Sequence, residues 1–88
     1  MAKMFVHGRV EDYAIWRASF DGFAPVRDAA GVTATTVART VGDAQGVTVI
    51  LDFDSAEQAQ AFATNPELRE RMRESGVVEA DVWTAEVD

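Results

Sequence analysis

The residues that could bind or react with a ligand lie mostly in one stretch of this chain. Between Asp12 and Gly31, aromatic residues recur at intervals of three or four positions and an arginine follows them: Tyr13, Trp16, Phe20, Phe23 and Arg27. At about 100° per residue, this spacing places all five on one face of a helix. A planar aromatic ligand could stack on such rings, so the face is a candidate ligand-binding surface.

Two residues of this face are candidate catalytic groups. Tyr13 carries a hydroxyl that could donate to a ligand oxygen. Arg27 stays charged and offers a planar set of donors to a carboxylate, an enolate or a phenolate. Both readings have structural alternatives, because an aromatic stripe often means core packing and Arg27 could instead form a salt bridge with its neighbour Asp28. Trp16, Phe20 and Phe23 are the candidate substrate-binding residues of the same face.

His7 and Trp83 are candidates outside this stretch. His7 is the only histidine and could act as a general base, since its ordinary pKa lies close to neutrality. It alternates with Val6 along a predicted strand, so it shares a face with Phe5 and Arg9, and this favours a role at a subunit interface. Trp83 is a candidate substrate-binding wall on the last predicted strand, and an interface anchor is the alternative.

Composition excludes several classes of function. The chain has no cysteine and one histidine, so neither a thiolate nor a multi-histidine metal site is expected, and no nucleotide-binding loop or other cofactor motif is present. A net charge of −7 disfavours binding to nucleic acid. No window approaches the roughly 18 apolar residues of a membrane span, and the N-terminus has no signal-peptide core. We therefore expect no metal, cofactor, nucleic-acid or membrane partner, and a cytoplasmic protein.

Hydrophobic periodicity predicts four strands and two helical regions. Four stretches are predicted as strands: 3–10, 32–40, 47–53 and 77–87. The first helical region begins at the cap Asp12 and ends at Gly31, with a kink or break at Pro25. The second has a capping box formed by Ser55 and Gln58, restarts at residues 65–66 and ends at residue 76.

Charged residues of both signs alternate near the end of the second helical region. Such a pattern is typical of a solvated helix face with pairs inside the helix and little functional content, and it covers Glu67, Arg69, Glu70, Arg71, Arg73 and Glu74.

The element order βαββαβ predicts an α+β, ferredoxin-like fold. Residues 1–88 would form one domain, with a four-stranded antiparallel sheet and the helices on one face of that sheet. The other sheet face would stay uncovered in a single chain. Because a domain of this size buries only about 60–65% of the surface of its unfolded chain, we expect a homodimer that pairs two sheets face to face.

The opening of the first helix resembles that of a known superfamily. The segment Val10-Glu11-Asp12-Tyr13 followed by Trp16, Phe20-Asp21, Arg27 and Gly31 is similar to the dimeric α/β-barrel superfamily, which includes antibiotic biosynthesis monooxygenases, muconolactone isomerases and small polyketide cyclases. The resemblance covers nearly the whole chain and is specific for the fold. It implies an α/β barrel formed by two subunits, and a pocket in each subunit between helices and sheet.

What the resemblance implies about function is a small homodimeric enzyme. It would be a cyclase or a cofactor-independent monooxygenase that acts on an aromatic or polyketide-type substrate, with Trp16, Phe20 and Phe23 lining the pocket. The alternative is a non-catalytic small-molecule-binding or assembly module with the same fold. Members of the subgroup often carry a histidine where this chain has Gly8, whereas His7 is predicted to point to the opposite face. Haem is not expected either, because neither helical region contains a histidine.

Overall fold

The computed structural model describes all 88 residues of the chain. It contains eight elements: β1 (Ala2–Val10), α1 (Tyr13–Gly22), α2 (Ala24–Ala30), β2 (Val32–Arg39), β3 (Gly46–Phe53), α3 (Ala56–Ala63), α4 (Pro66–Glu74) and β4 (Val77–Glu86). The strand bounds differ from the predicted ones by one residue at most. None of the helices is long and apolar enough to cross a lipid bilayer.

The four strands form one antiparallel sheet in the order β2-β3-β1-β4. The two central strands, β1 and β3, are therefore the first and third in sequence, and β2 and β4 are the edges. This order together with the helical crossovers is that of a ferredoxin-like domain, so the fold predicted from the sequence is confirmed.

The core lies between the helices and one face of the sheet. Every second residue of strand β3 is buried in this core: Val47, Val49, Leu51 and Phe53. Strand β1 contributes Ala2, Met4 and Val10. The helices contribute Trp16, Phe23, Ala59 and Phe62 from above. The period of two in the strands and the aromatic stripe of the first helical region were therefore correct guides to burial.

The first helical region is divided in two at the position that Pro25 predicts. Asp12 caps α1 by accepting a hydrogen bond from the backbone N–H of Ile15 at 3.1 Å. Helix α1 ends before Phe23, and α2 begins at Ala24 with Pro25 in its first turn, where a missing N–H leaves no helical bond unmade. Gly31 then ends α2 with φ of +97°, a left-handed conformation that glycine adopts without steric cost.

The second helical region also consists of two helices. The side chain of Ser55 caps α3 by accepting from the backbone N–H of Gln58, and Asn65 caps α4 ahead of Pro66. The reciprocal bond of a complete capping box, from the Gln58 side chain back to Ser55, is not formed, so this part of the prediction is wrong. Gly76 follows α4 with φ of +87°, as its predicted role in ending the helix requires.

The sheet face opposite the helices, here called the open face, carries a mixed set of side chains. Phe5 stacks on Trp83 across β1 and β4, with ring centroids 5.4 Å apart and planes 9° from parallel. On the β3 side of Phe5, Ile50 is its partner in the sheet, so Ile50, Phe5 and Trp83 form an apolar row across three strands. Trp83 remains 49% exposed in the single chain.

Candidate functional site

A cavity lies between the helices and the sheet, beneath α1. The space in it that a water-sized sphere can reach is about 70 Å³. Its floor is formed by alternate residues of β1 and β3, which turn aliphatic side chains toward the helices. Its roof is formed by α1, α2 and α4, and most of the lining is hydrophobic. A concave, apolar site of this kind suits a small organic ligand.

Three aromatic residues of the predicted stripe form one wall of the cavity. Trp16 and Phe20 lie with their ring centroids 5.0 Å apart and their planes 27° from parallel. Phe23 lies at the junction between α1 and α2, and the centroid of its ring is 6.4 Å from that of Phe62 in α3. The structure thus brings the three residues that were predicted to bind substrate to the same cavity. They belong to the core as well, so packing and pocket lining are the same surface here.

Arg27 reaches this wall from α2. Its side chain is 8% exposed, and its guanidinium group lies 3.9 Å from the ring centroid of Phe20 while donating a hydrogen bond to the Phe20 carbonyl oxygen. The salt bridge with Asp28, predicted as an alternative, is absent, so that prediction is wrong. Burial lowers the pKa of Arg27, and the nearby Asp21 and Asp28 oppose this effect only in part.

Tyr13 lies beside the cavity and is not part of its lining. Its ring is 5.8 Å from that of Trp16, and the guanidinium group of Arg39 on β2 covers it at 3.8 Å. Tyr13 shares the helix stripe with Trp16, but the stripe is wide enough for its first member to face the edge strand instead. A contribution of Tyr13 at the ligand would therefore act through the position of Trp16.

His7 and Trp83 lie on the open face, on the other side of the sheet from the cavity. The Nδ1 atom of His7 is 3.0 Å from the hydroxyl oxygen of Thr48 on β3. Gly8, one residue later, lines the cavity, because successive residues of a strand point to opposite faces. The structure does not bring His7 or Trp83 together with Trp16, Phe20 and Arg27.

Arg71 of α4 is a cavity residue that the sequence interpretation missed. Its Nε donates to the Ser19 hydroxyl at 2.8 Å, and its Nη2 donates to the Ser19 carbonyl oxygen at 3.0 Å. The prediction that this part of the helix is merely a solvated face is wrong for Arg71, whereas Arg73 and Glu70 do pair within the helix. A signal was available: the cavity-lining residues of this segment recur at helical spacing, at Leu68, Arg71, Met72 and Ser75.

The charged residues that line the cavity are all basic: Arg9, Arg27 and Arg71. Arg9 is paired with Asp43, but the other two have no acidic partner. No carboxylate and no histidine line the cavity, and no group of acidic, histidine or cysteine residues in the chain could hold a metal ion. The cavity therefore combines apolar and aromatic walls with two arginine side chains, which are suited to stabilising negative charge.

No family model matches the sequence, and no curated protein is significantly similar to it in sequence. Solved structures are nevertheless similar in fold. A candidate antibiotic biosynthesis monooxygenase from Bordetella bronchiseptica is 15% identical with a TM-score of 0.80, over 99% of this chain and 96% of that one. SnoaB, a cofactor-independent oxygenase from Streptomyces nogalater, is 13% identical with a TM-score of 0.72, over 99% of this chain and 94% of that one.

A third similar structure is a candidate antibiotic biosynthesis monooxygenase from Deinococcus radiodurans, 8% identical with a TM-score of 0.68, over 100% of this chain and 93% of that one. At such identities the similarity establishes the fold alone. It agrees with the resemblance that the segment from Val10 to Gly31 carries in the sequence. The chain therefore shares the ferredoxin-like fold of antibiotic biosynthesis monooxygenase-like proteins.

Proposed function

We propose that the chain is a homodimeric, cofactor-independent monooxygenase-like enzyme that acts on an aromatic or polyketide-type substrate in the cavity beneath α1. The observation that carries this proposal is the combination of an aromatic wall with the buried guanidinium group of Arg27, which forms no salt bridge. The fold shared with SnoaB, whose name describes a cofactor-independent oxygenase, supports the same class of activity.

In this reaction the substrate supplies its own electrons. An electron-rich phenol or enol stacks on Trp16 and Phe20 and loses a proton to solvent, and Arg27 stabilises the anion. The anion reduces dioxygen: at the carbon that carries the negative charge, C–H becomes C=O, and the second oxygen atom leaves as water with that hydrogen and one proton taken back from solvent. In the cyclase form of the proposal, the same enolate carbon attacks a carbonyl carbon within the molecule, a C–C bond forms, and the carbonyl oxygen takes up a proton.

One observation favours a second candidate, a non-catalytic small-molecule-binding module. No carboxylate or histidine lines the cavity, so the chain offers no side chain there that would exchange a proton near neutral pH. Oxygen uptake and product analysis together separate the two candidates. A monooxygenase consumes one dioxygen per substrate molecule oxidised, a cyclase forms a ring-closed product without oxygen uptake, and a binding module does neither.

The two tryptophans make the proposed site directly measurable, because Trp16 lines the cavity and Trp83 lies on the open face. In a Trp83→Phe variant, Trp16 is the sole tryptophan. We expect titration with a dihydroxynaphthalene to quench most of its fluorescence, since the ligand would stack on the indole ring.

The Trp16→Phe variant is the matched control for this titration. It retains Trp83 as its sole tryptophan, and its fluorescence is expected to stay constant while calorimetry still detects binding. Equal quenching of both tryptophans would place the ligand elsewhere and contradict the proposed site. If neither the two variants nor the wild type bind the ligand, the proposed site is contradicted as well.

The homodimer is the second part of the proposal, and the open face supports it. The residues that cross the sheet in one row, Thr36, Ile50, Phe5 and Trp83, are mostly apolar and not covered by any helix. A patch of this kind on a chain of 88 residues is suited to pairing with the same patch of a second copy. His7, adjacent to this row, would then lie in the interface, as its strand parity suggests.

Light scattering on a sizing column tests the dimer. We expect a mass of twice the 9.6 kDa chain at micromolar concentration. The Trp83→Lys variant should weaken association by at least about 2 kcal/mol, because it replaces an exposed aromatic residue of the proposed interface with a charge that would be buried. The Ile15→Lys variant adds the same charge at an exposed apolar residue of α1 and should remain dimeric. A wild-type monomer would overturn this part of the proposal.

A further inference from the structure

The cavity reverses the charge balance of the chain. The sequence has 8 basic and 15 acidic residues, yet every charged side chain that lines the cavity is an arginine. The salt bridges of the structure use Lys3, Arg9, Arg17 and Arg73, and none of them uses Arg27 or Arg71. Asp21 and Asp28 lie near Arg27 and offset part of its charge, but neither forms a salt bridge with it. A concave site with excess positive charge attracts anions, and low-dielectric walls strengthen that attraction.

The two unpaired arginines meet at the same place in the fold. Arg27 of α2 donates to the carbonyl oxygen of Phe20, and Arg71 of α4 donates to the carbonyl oxygen of Ser19, the preceding residue. These carbonyl groups belong to the last part of α1, where the helix dipole favours cations. Stabilising the end of α1 is thus a structural role that both side chains could have.

This structural role uses only some of the N–H donors of the two guanidinium groups. The Ser19 and Phe20 carbonyl groups share one backbone donor, the N–H of Phe23 at 3.1 Å from each oxygen, and the arginines add one further donor to each carbonyl. A guanidinium group has five N–H donors. Arg27 makes one hydrogen bond and Arg71 makes two, both to Ser19.

The donors that remain are not sealed away from a ligand. No side-chain nitrogen or oxygen in the structure is both fully buried and without a partner. The unbonded nitrogens of Arg27 therefore keep accessible surface although the side chain is almost wholly buried, and its surroundings include the cavity. Arg71, which is only half-buried, presents its guanidinium group between α4 and α1 at the cavity wall.

We propose that the natural ligand of this cavity is an aromatic carboxylate, and that Arg71 is the residue that selects it. The inference rests on the proposed function, since it names the chemical class of ligand for the same cavity. The aromatic ring lies against Trp16 and Phe20, and the carboxylate accepts two parallel hydrogen bonds from the guanidinium group of Arg71. The bonds from Arg71 to Ser19 stay in place, because the carboxylate uses N–H groups that Ser19 does not.

Two probes of nearly equal shape test the inference: 2-naphthoate, which is an anion, and 2-naphthamide, which is neutral. By titration calorimetry, we expect the wild type to bind 2-naphthoate at least about tenfold more tightly, because a hydrogen bond to a charged group is the stronger kind. In Arg71→Gln, the affinity for 2-naphthoate should fall by about tenfold and that for 2-naphthamide should change by no more than about twofold.

The matched control is Arg69→Gln, which removes the same charge from an exposed position of the same helix. It should retain the preference for 2-naphthoate. Equal losses in Arg69→Gln and Arg71→Gln would overturn the inference, since the effect would then come from overall charge. If Arg71→Gln does not fold, Arg71→Lys replaces it: this variant keeps the charge but loses the planar fork, and an undiminished preference would overturn the paired hydrogen bonds.

Binding measurements on the wild type alone distinguish a failure of the carboxylate inference from a failure of the proposed function. Equal affinities for the two probes would overturn the carboxylate inference and leave an aromatic-binding cavity, as the proposed function requires. Binding of neither probe, together with no binding of dihydroxynaphthalene, would overturn both.

Discussion

Replacing Arg27 with methionine is expected to reduce substrate oxidation strongly and leave the folded state intact. If Arg27 stabilises the substrate anion as proposed, its removal should lower kcat/KM by about 100-fold, the usual effect of deleting one donor to a developing oxyanion. Methionine has a similar length and can occupy the same space over Phe20. The change therefore removes the charge and the donors without opening a large gap.

The same substitution should not destabilise the protein, and this separates a functional role from a structural one. Arg27 is a buried cation with no acidic partner, and burial lowers its pKa, which means that the fold disfavours its charged form. A guanidinium group stays protonated across the neutral range, so the folded state bears this cost at every ordinary pH. The substitution also removes the hydrogen bond to the Phe20 carbonyl oxygen and the contact with the Phe20 ring, which opposes the gain from removing a buried charge. We therefore expect the free energy of unfolding of Arg27→Met to be within about 1 kcal/mol of wild type.

Oxygen uptake and urea denaturation measure the two effects on the same samples. Arg17→Met is the matched control, because Arg17 also lies near the Phe20 ring, at 5.6 Å, but on the exposed side, where it pairs with Asp21. Its oxygen uptake should match that of the wild type. A large loss of stability in Arg27→Met with unchanged turnover would show that Arg27 serves the fold and has no part in the reaction.

Replacing Phe62 with alanine is expected to have the largest effect on stability. The side chain is 2% exposed. The centroid of its ring is 6.1 Å from that of Phe53 and 6.4 Å from that of Phe23, so Phe62 packs α3 against both the sheet and the junction between α1 and α2. Its removal should cost about 3–5 kcal/mol, from lost burial and from the cavity left behind. A domain of this size is typically stable by about 5–15 kcal/mol, so much of the total would be lost.

Urea denaturation followed by circular dichroism measures this loss. The midpoint should move to a lower urea concentration while the slope of the transition stays the same. Ile15→Ala is the control, since Ile15 is an exposed aliphatic residue of α1, and it should change stability by no more than about 0.5 kcal/mol. A loss below about 1 kcal/mol in Phe62→Ala would mean that neighbouring side chains refill the space.

The fold was predictable because its signals are local. Alternation in the strands, the capping residues Asp12, Ser55 and Asn65, and the break at Pro25 each depend on a few neighbouring residues. The structure retains these features with small changes at the ends of elements. The incomplete capping box at Ser55 is the exception. Its second bond depends on where the Gln58 side chain can go, and that side chain lies against Gly31, far away in sequence.

The site was only partly predictable, because it combines helices that are distant in sequence. The stripe from Trp16 to Phe23 is a property of one helical region, so its spacing was sufficient. Arg71 was missed because its role depends on Ser19, 52 residues earlier, and the mixed charges around it resemble those of any exposed helix. The helical wheel placed Tyr13 on the same face as Trp16, but it contains no information about Arg39 of β2, which covers the Tyr13 ring beside the cavity.

Gly8 on β1, where the resemblance in the sequence implied a histidine, occupies a sterically restricted position in this structure. A Cβ atom at Gly8 would overlap the carbonyl oxygen of Glu79 and lie 3.0 Å from the Cα of Ala80. Strand β4 therefore approaches β1 too closely for any side chain at this position. A histidine could be accommodated there only if β4 moved away.

Strand β1 serves both surfaces of the protein, with Val6 and Gly8 facing the cavity and Phe5 and His7 on the open face. Point substitutions can thus alter the ligand site and the association surface independently during evolution. An insertion or deletion of a single residue within β1 would exchange the two sets of side chains at once. We therefore expect the length of β1 to vary much less among relatives of this chain than its sequence.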